Sequence, residues 1–157
     1  MDPTIRRFER TDAAWARGLL TADFGSPVVV SRGVAHDATA LPGFVAEVGG
    51  VAVGLATYRL AGNECEVVTI SGHGVGAELL AAVVEQARRS ECHRAWLVTT
   101  NDDLRALRFY QRQGWDLVAL HRDAVTAARR IKPGIPEHGE DGIPIRHELE
   151  LELMLEG

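Results

Sequence analysis

The stretch ISGHGVGAELL, residues 70–80, decides the fold. A β-branched run, CEVVTI, leads into it, and a leucine-rich helical pattern follows it. Three glycines, at 72, 74 and 76, therefore lie where a strand gives way to a helix. Glycine destabilises regular structure, and it is favoured where the backbone bends tightly or approaches a ligand closely. The pattern predicts a strand–turn–helix unit whose turn faces a ligand.

Before this unit, the pattern predicts a strand over TIRRF (4–8) and a helix over AAWARGLL (13–20), with Thr11 or Asp12 as its cap. The segment SPVVVSRG (26–33) is compatible with a short strand or with a lid-like segment.

Three consecutive strands are predicted next. GFVAEV (43–48) and VAVGLATYRL (51–60) flank Gly49-Gly50, a pair that suits a tight hairpin turn. AGN (61–63) turns the chain again into ECEVVTI (64–70). We therefore expect these three strands to be antiparallel.

Helices and strands alternate after the glycines. One apolar helical face is predicted from Leu79, Leu80, Val83, Val84 and Ala87. The later elements are a buried strand RAWLVTT (94–100), a helix from NDDL (101–104) to its C-cap Gly114, a strand WDLVALH (115–121), a helix DAVTAARRIK (123–132) and an alternating final strand IRHELELELML (145–155). The predicted fold class is α/β (mixed α+β), a single domain over 1–157 with one mixed, mostly antiparallel sheet flanked by helices.

Composition and charge exclude several classes. The chain has 157 residues, a formal net charge of −5 and a pI of about 5.7, which gives no indication of a nucleic-acid partner. The N-terminal residues have no apolar h-region, and there is no run of 18 apolar residues. We therefore expect a cytoplasmic protein with no membrane contact and two free thiols, Cys65 and Cys92. No Cys/His spacing predicts a metal site.

A glycine turn before a helix is an anion site, because the first helical N–H groups lack internal partners and the helix dipole adds positive charge. A Walker P-loop is excluded, since Ala77 and Glu78 stand where lysine and a hydroxyl are required. A dinucleotide fingerprint fits Gly72, Gly74 and Ala77, but that unit normally opens its fold and here follows three strands.

Two segments together, SGHGVGAELL (71–80) and ALRFYQRQGW (106–115), resemble the GNAT superfamily of acetyl-CoA-dependent N-acyltransferases. The first matches the motif Q/R-x-x-G-x-G/A, with serine in place of Gln or Arg. The second matches N-x-x-A-x-x-x-Y-x-x-x-G-F, with Asp103 in place of Asn, Asn101 nearby and Trp115 in place of Phe.

The resemblance implies that acetyl-CoA is the co-substrate and that a primary amine is the acceptor. The residues that it implies for coenzyme A binding are Val68, Thr69, Ile70, Ser71, Gly72, His73, Gly74, Val75, Gly76, Ala77, Asn101, Asp103, Ala106 and Tyr110. The amides near Val68 to Ile70 would polarise the thioester carbonyl.

Catalytic roles follow from the chemistry of acyl transfer, in which an amine loses a proton and a thiolate gains one. By resemblance, Tyr110 is the general-acid candidate. Period two puts Glu64, Glu66, Val68 and Ile70 on one face of their strand. The resemblance implies that a carboxylate of this strand acts as the general base, and Glu66 is the candidate because Glu64 lies close to the turn.

Other polar residues have two interpretations each. His73 could touch a phosphate, although an exposed loop histidine is the simpler interpretation. His36 and Asp37 could line an acceptor site or form a turn. Cys65 is expected to be buried, and the basic stretch 129–132 could meet the adenosine phosphate or be a solvated helix face.

The predicted function is therefore acetyl transfer to a small-molecule or peptide amine. The alternatives are a GNAT-shaped binding or regulatory module and a small NAD(P)-binding oxidoreductase. A homodimer is also compatible with the resemblance, with HELELELML (147–155) as an exposed edge strand for pairing.

Overall fold

The structure is a computed structural model that describes residues 2–156. The chain divides into two compact units. The first comprises residues 2–29, 37–95 and 154–156, and the second comprises residues 30–36 and 96–153. Whether the two units fold as one domain stays a prediction.

Nine strands and four α-helices make up the regular structure of the described residues. The strands are β1 (Thr4–Arg7), β2 (Val28–Ser31), β3 (Val34–Asp37), β4 (Gly43–Val48), β5 (Val51–Ala61), β6 (Glu64–Gly72), β7 (Arg94–Thr100), β8 (Asp116–His121) and β9 (Glu148–Met154). The helices are α1 (Ala13–Phe24), α2 (Gly76–Arg89), α3 (Leu104–Arg112) and α4 (Ala124–Ala128). Seven of the strands belong to one mixed, mostly antiparallel sheet, as predicted.

Four strands of that sheet lie in the first unit, in the order β1-β4-β5-β6. Each neighbouring pair is antiparallel. This confirms the predicted run of three antiparallel strands before the glycine turn. It also excludes the dinucleotide-binding alternative, which requires the turn to follow the first strand of a parallel unit.

The second unit contributes strands in the order β7-β9-β8. The final strand β9 therefore lies inside the sheet, and the prediction that it offers an exposed edge is wrong. Its alternating glutamates suggest an exposed edge strand. In the structure, Glu148 is only 4% exposed and forms an ion pair of 3.0 Å with Arg32. Glu150 bonds His121 at 2.8 Å.

The segment 26–33 contains a strand and is no lid-like loop. β2 and β3 form a small sheet of their own, joined through Arg32 and Gly33, which both have positive φ. His36 lies in β3 rather than in a turn. Asp37 ends that strand and accepts a hydrogen bond from the Thr39 N–H.

Two later boundaries differ from the predicted ones. The helix predicted over 123–132 ends at Ala128, since the Arg129 guanidinium donates to the carbonyls of Ile135, Pro136 and Ile145. The last strand begins at Glu148 rather than at 145.

The core of the first unit forms where α1 covers the sheet. Buried side chains from α1 contact those of β4 and β5; the cluster consists of Ala16, Leu20, Ala38, Val45 and Leu55. The predicted apolar face of α2 is confirmed, because its buried residues are Leu79, Leu80, Val83, Val84 and Ala87.

Gly43 tests how closely β4 approaches β5. A Cβ at Gly43 would overlap the carbonyl oxygen of Ala56. We expect Gly43→Ala to lower the free energy of unfolding by about 1–3 kcal/mol, as overpacking does. Gly18→Ala is the matched control, because a Cβ there meets nothing within 4 Å and alanine favours the helix. Chemical denaturation measures both, and equal effects would contradict the close approach.

Candidate active site

The glycine turn connects β6 to α2 in the first unit. Gly72 has a φ of +127°, and a Cβ there would lie 2.8 Å from the Cα of Gly54 on β5. Gly74 has a φ of +74°, yet a Cβ there would meet nothing within 4 Å. Packing and backbone conformation therefore both require glycine at position 72, whereas conformation alone favours it at the exposed position 74.

The start of α2 has no side-chain cap. Val75 occupies the N-cap position and makes no capping hydrogen bond through its side chain. The first helical bond runs from the Leu79 N–H to the Val75 carbonyl, so the N–H groups of the preceding turn point out of the helix. His73 and Gly74 are exposed, and Gly76 and Ala77 are half-buried. This end of α2 can accept an anion.

Ser71 lies inside the first unit rather than on the turn. It is 3% exposed, and its Oγ is buried without a hydrogen-bond partner among the described residues. The longer glutamine or arginine of the family motif is thus replaced by a short hydroxyl that does not reach the surface. Only the backbone of Ser71 stays available for the predicted cofactor contact.

A β-bulge interrupts β6 at Val68. Thr57 of β5 pairs with Thr69, and the next residue, Tyr58, pairs with Val67. Val68 is the extra residue, so a strict period of two cannot be carried from Glu66 to Ile70. The prediction that these residues share one face across the whole strand is therefore wrong. A single sequence gives no signal for such a bulge.

Glu66 lies just before the bulge and is 3% exposed. Its Oε1 accepts a hydrogen bond of 2.6 Å from the Nε of Arg59, the residue opposite it on β5. This carboxylate oxygen is therefore already engaged by a guanidinium in a short, charge-assisted bond. Arg59 was not among the predicted site residues. The register of the predicted hairpin, which places Arg59 opposite Glu66, is the signal that could have identified it.

The second family motif lies on α3 in the second unit. Asp103 caps this helix by accepting a bond of 3.0 Å from the Ala106 N–H. Tyr110 is partly buried and contacts the rings of Phe109 and Trp115, with centroids 5.2 and 6.1 Å away. Burial raises the pKa of the Tyr110 phenol, and the negative charge of Asp103 raises it further. The phenol is therefore protonated throughout the physiological pH range.

Asn101 has a structural role in the second unit. Its Oδ1 accepts bonds from the N–H groups of Arg146 and His147, and its Nδ2 donates to the Pro144 carbonyl. Its backbone N–H donates to the His147 carbonyl. The predicted cofactor contact of Asn101 therefore competes with four hydrogen bonds to the segment before β9.

The two cysteines are unreactive by environment. Cys65 is fully buried, and burial raises the pKa of its thiol to about 12. Burial also raises the pKa of Cys92. Within residues 2–156, no group of three or more His, Cys, Asp or Glu side chains could hold a metal ion. In the same range, no helix has the length and apolar character needed to cross a membrane.

Comparison with known proteins agrees with this architecture. Residues 13–115 match the model of the acetyltransferase (GNAT) family. The uncharacterized protein YdhI of Bacillus subtilis (strain 168) is 39% identical over 144 residues, which cover 85% of this chain and 89% of YdhI.

Two solved structures share the fold. A Bacillus subtilis acetyltransferase in complex with CoA superposes with a TM-score of 0.77 at 20% identity, covering 99% of this chain and all of the other. The IAA acetyltransferase from Bacillus cereus ATCC 14579 gives a TM-score of 0.76 at 21% identity, covering 98% of this chain and all of its own.

The chain therefore belongs to the GNAT family of acetyltransferases. This confirms the predicted family, the fold class and the class of enzyme.

Titration of the two tyrosines tests whether their side chains are buried. The chain has two, Tyr58 and Tyr110, and burial raises the pKa of both above the ordinary value of about 10. We expect the ultraviolet absorbance of the folded protein to show no phenolate step near pH 10. Stability should fall as the pH rises past that value, since the unfolded phenols ionise first. A full step near pH 10 in the folded state would contradict the burial.

Proposed function

We propose that this protein is an N-acetyltransferase that moves the acetyl group of acetyl-CoA directly to a primary amine of a small molecule or peptide in the cytoplasm, without a metal. The observation that carries the proposal is the glycine turn at the uncapped start of α2, in a chain of the GNAT family. A diphosphate placed there would meet converging N–H groups and the positive end of a helix dipole of 14 residues.

In this proposal, the backbone from Ser71 to Ala77 holds the pyrophosphate of coenzyme A. The amides near Val68, Thr69 and Ile70 polarise the thioester carbonyl. Asn101, Asp103 and Ala106 are carried over from the family motif as further cofactor contacts.

Tyr110 is proposed as the general acid. A phenol with a raised pKa stays protonated and can donate a hydrogen bond to the departing thiolate. The proton moves readily only when the thiolate is also desolvated, because burial then raises the basicity of the sulfur as well.

Glu66 is proposed as the proton acceptor for the amine. Its ion pair with Arg59 opposes this role, so the amine or a bridging water must weaken that pair before the carboxylate can accept a proton. A kcat/KM profile of Glu66→Gln with the wild-type dependence on pH would exclude Glu66 as the base.

A second candidate function is a GNAT-shaped binding or regulatory module. Three observations favour it. The side chain of Ser71 is buried, the Asp103 carboxylate caps α3, and the Asn101 side chain bonds the backbone before β9. Each removes a side-chain contact from the cofactor. Weak or absent binding of acetyl-CoA, together with no turnover of any amine, would support this module.

Calorimetric titration with acetyl-CoA tests the proposed cofactor site. We expect wild-type protein to bind it and Gly74→Asp to bind at least about tenfold more weakly, because a carboxylate would then face the phosphates. Gly142→Asp is the matched control, since Gly142 also has positive φ and open space around it. Equal affinities for the two variants would contradict a phosphate site at the turn.

Tyr110→Phe separates catalysis from binding. We expect kcat to fall by about 10²–10⁴-fold, as for loss of a general acid, with little change in the affinity for acetyl-CoA. A panel of primary amines with coenzyme A release as the readout measures this effect. Unchanged kcat in the variant, with chemistry limiting the rate, would rule out Tyr110 as the acid.

A further inference from the structure

We propose that the hydroxyl pair of Thr57 and Thr69 is a positioning device that fixes the bulge of β6 at Val68. The pair lies outside the predicted catalytic residues, although Thr69 also lends its amide to the predicted cofactor site. The expected effect on catalysis rests on the proposed function, whereas the expected effect on the position of the bulge does not.

The bulge needs an external constraint. One residue of β6 has no place in the ladder with β5, because Thr57 pairs with Thr69 and Tyr58 pairs with Val67. A bulge leaves local backbone groups outside the ladder, and this weakens the pairing that would otherwise define their position. On the β5 side, the bonds that join the two strands before and after Val68 therefore set the position of its backbone.

The hydroxyl bond is the first of these. The Oγ1 atoms of Thr57 and Thr69 are 2.7 Å apart, and the two residues are 0% and 3% exposed. Burying two hydroxyls costs free energy unless they bond each other, and valine would fill the same space without that cost. Two threonines in register on a buried face therefore indicate a requirement for a directed bond beyond packing.

Thr57 is itself held from the opposite side. On β4, Gly43 pairs with Thr57, and a Cβ on that glycine would lie 3.2 Å from the Thr57 Cα. The backbone N–H of the next residue, Tyr58, donates to the Pro42 carbonyl. Thr57 is therefore a fixed point, and the hydroxyl bond transmits its position to Thr69 and so to the bulge.

The ion pair of Arg59 and Glu66 provides the second bond, on the other side of Val68. Its Nε–Oε1 distance is 2.6 Å, and the side chain of Glu66 is 2% exposed. The bulge is thus bracketed by two short cross-strand bonds. Amides that polarise a carbonyl are effective only when they are held in place before the reaction, and this bracket holds them.

Three variants separate positioning from simple stability. Thr69→Val leaves the Thr57 hydroxyl buried and unpaired. The double variant Thr57→Val with Thr69→Val removes both hydroxyls, so its stability should return close to that of the wild type. Thr57→Ser keeps the hydroxyl bond. The readouts are the free energy of unfolding, amide hydrogen exchange of residues 67–70 relative to that of β4, and kcat against KM for acetyl-CoA.

The expected result is that the double variant is stable, exchanges the amides of 67–70 about tenfold faster than wild type, and loses kcat without a change in KM. Thr57→Ser should behave as wild type. Cys65→Ala is the control, because it opens space in the same strand and should lower stability while kcat and the relative exchange at 67–70 stay unchanged.

Wild-type exchange at 67–70 in the double variant would overturn the proposal, and so would faster exchange with unchanged kcat. If wild-type protein transfers no acetyl group to any amine, the proposed function fails. The exchange comparison still decides whether the hydroxyl pair fixes the bulge.

Discussion

The close approach of Gly72 to Gly54 is the constraint on which the first unit depends. The two residues are cross-strand partners, and neither leaves room for a Cβ. At Gly54, a Cβ would meet the side chains of Val75 and Leu79, and at Gly72 it would meet the Cα of Gly54 and the Val53 carbonyl oxygen. This contact lets β6 turn directly onto the start of α2. The contact also sets the direction of that helix, the position of its uncapped amides and the packing of its apolar face on the sheet.

Glycine therefore has two different uses within three residues. At Gly72, it permits contact between two strands, and the requirement comes from the inside of the protein. At Gly74, the surroundings are open, and the requirement is the backbone conformation of an exposed turn. The anion-binding character of the turn belongs mainly to this second, outer part and to the helix that follows it.

Much of this could be predicted from the sequence, because local pattern and local structure agree here. The five buried residues of α2 and the hairpins before it follow from periodicity and turn chemistry. The C-cap of α3 is Gln113 rather than the predicted Gly114, which follows it with positive φ. The bulge at Val68 could not be predicted, since an extra residue in one strand leaves no mark on composition. The internal position of β9 was missed for a different reason. Alternating glutamates suggest solvent, and only the structure brings Arg32 and His121 to them.

The segment between Arg129 and β9 has a consequence for how such a protein can diversify. Arg129 and Asn101 fix its two ends, at 135–136 and at 144–147. Between them, a small loop closes on itself through bonds from Gly139 to Ile143 and from Ile145 to Glu137. Gly139 is fixed, because a Cβ there would overlap the Asp102 carboxylate, whereas the exposed loop tip at 140–142 can lengthen, shorten or change its chemistry while its anchors stay in place. It is a module that can be exchanged, so related chains could acquire new surfaces here without rebuilding the sheet.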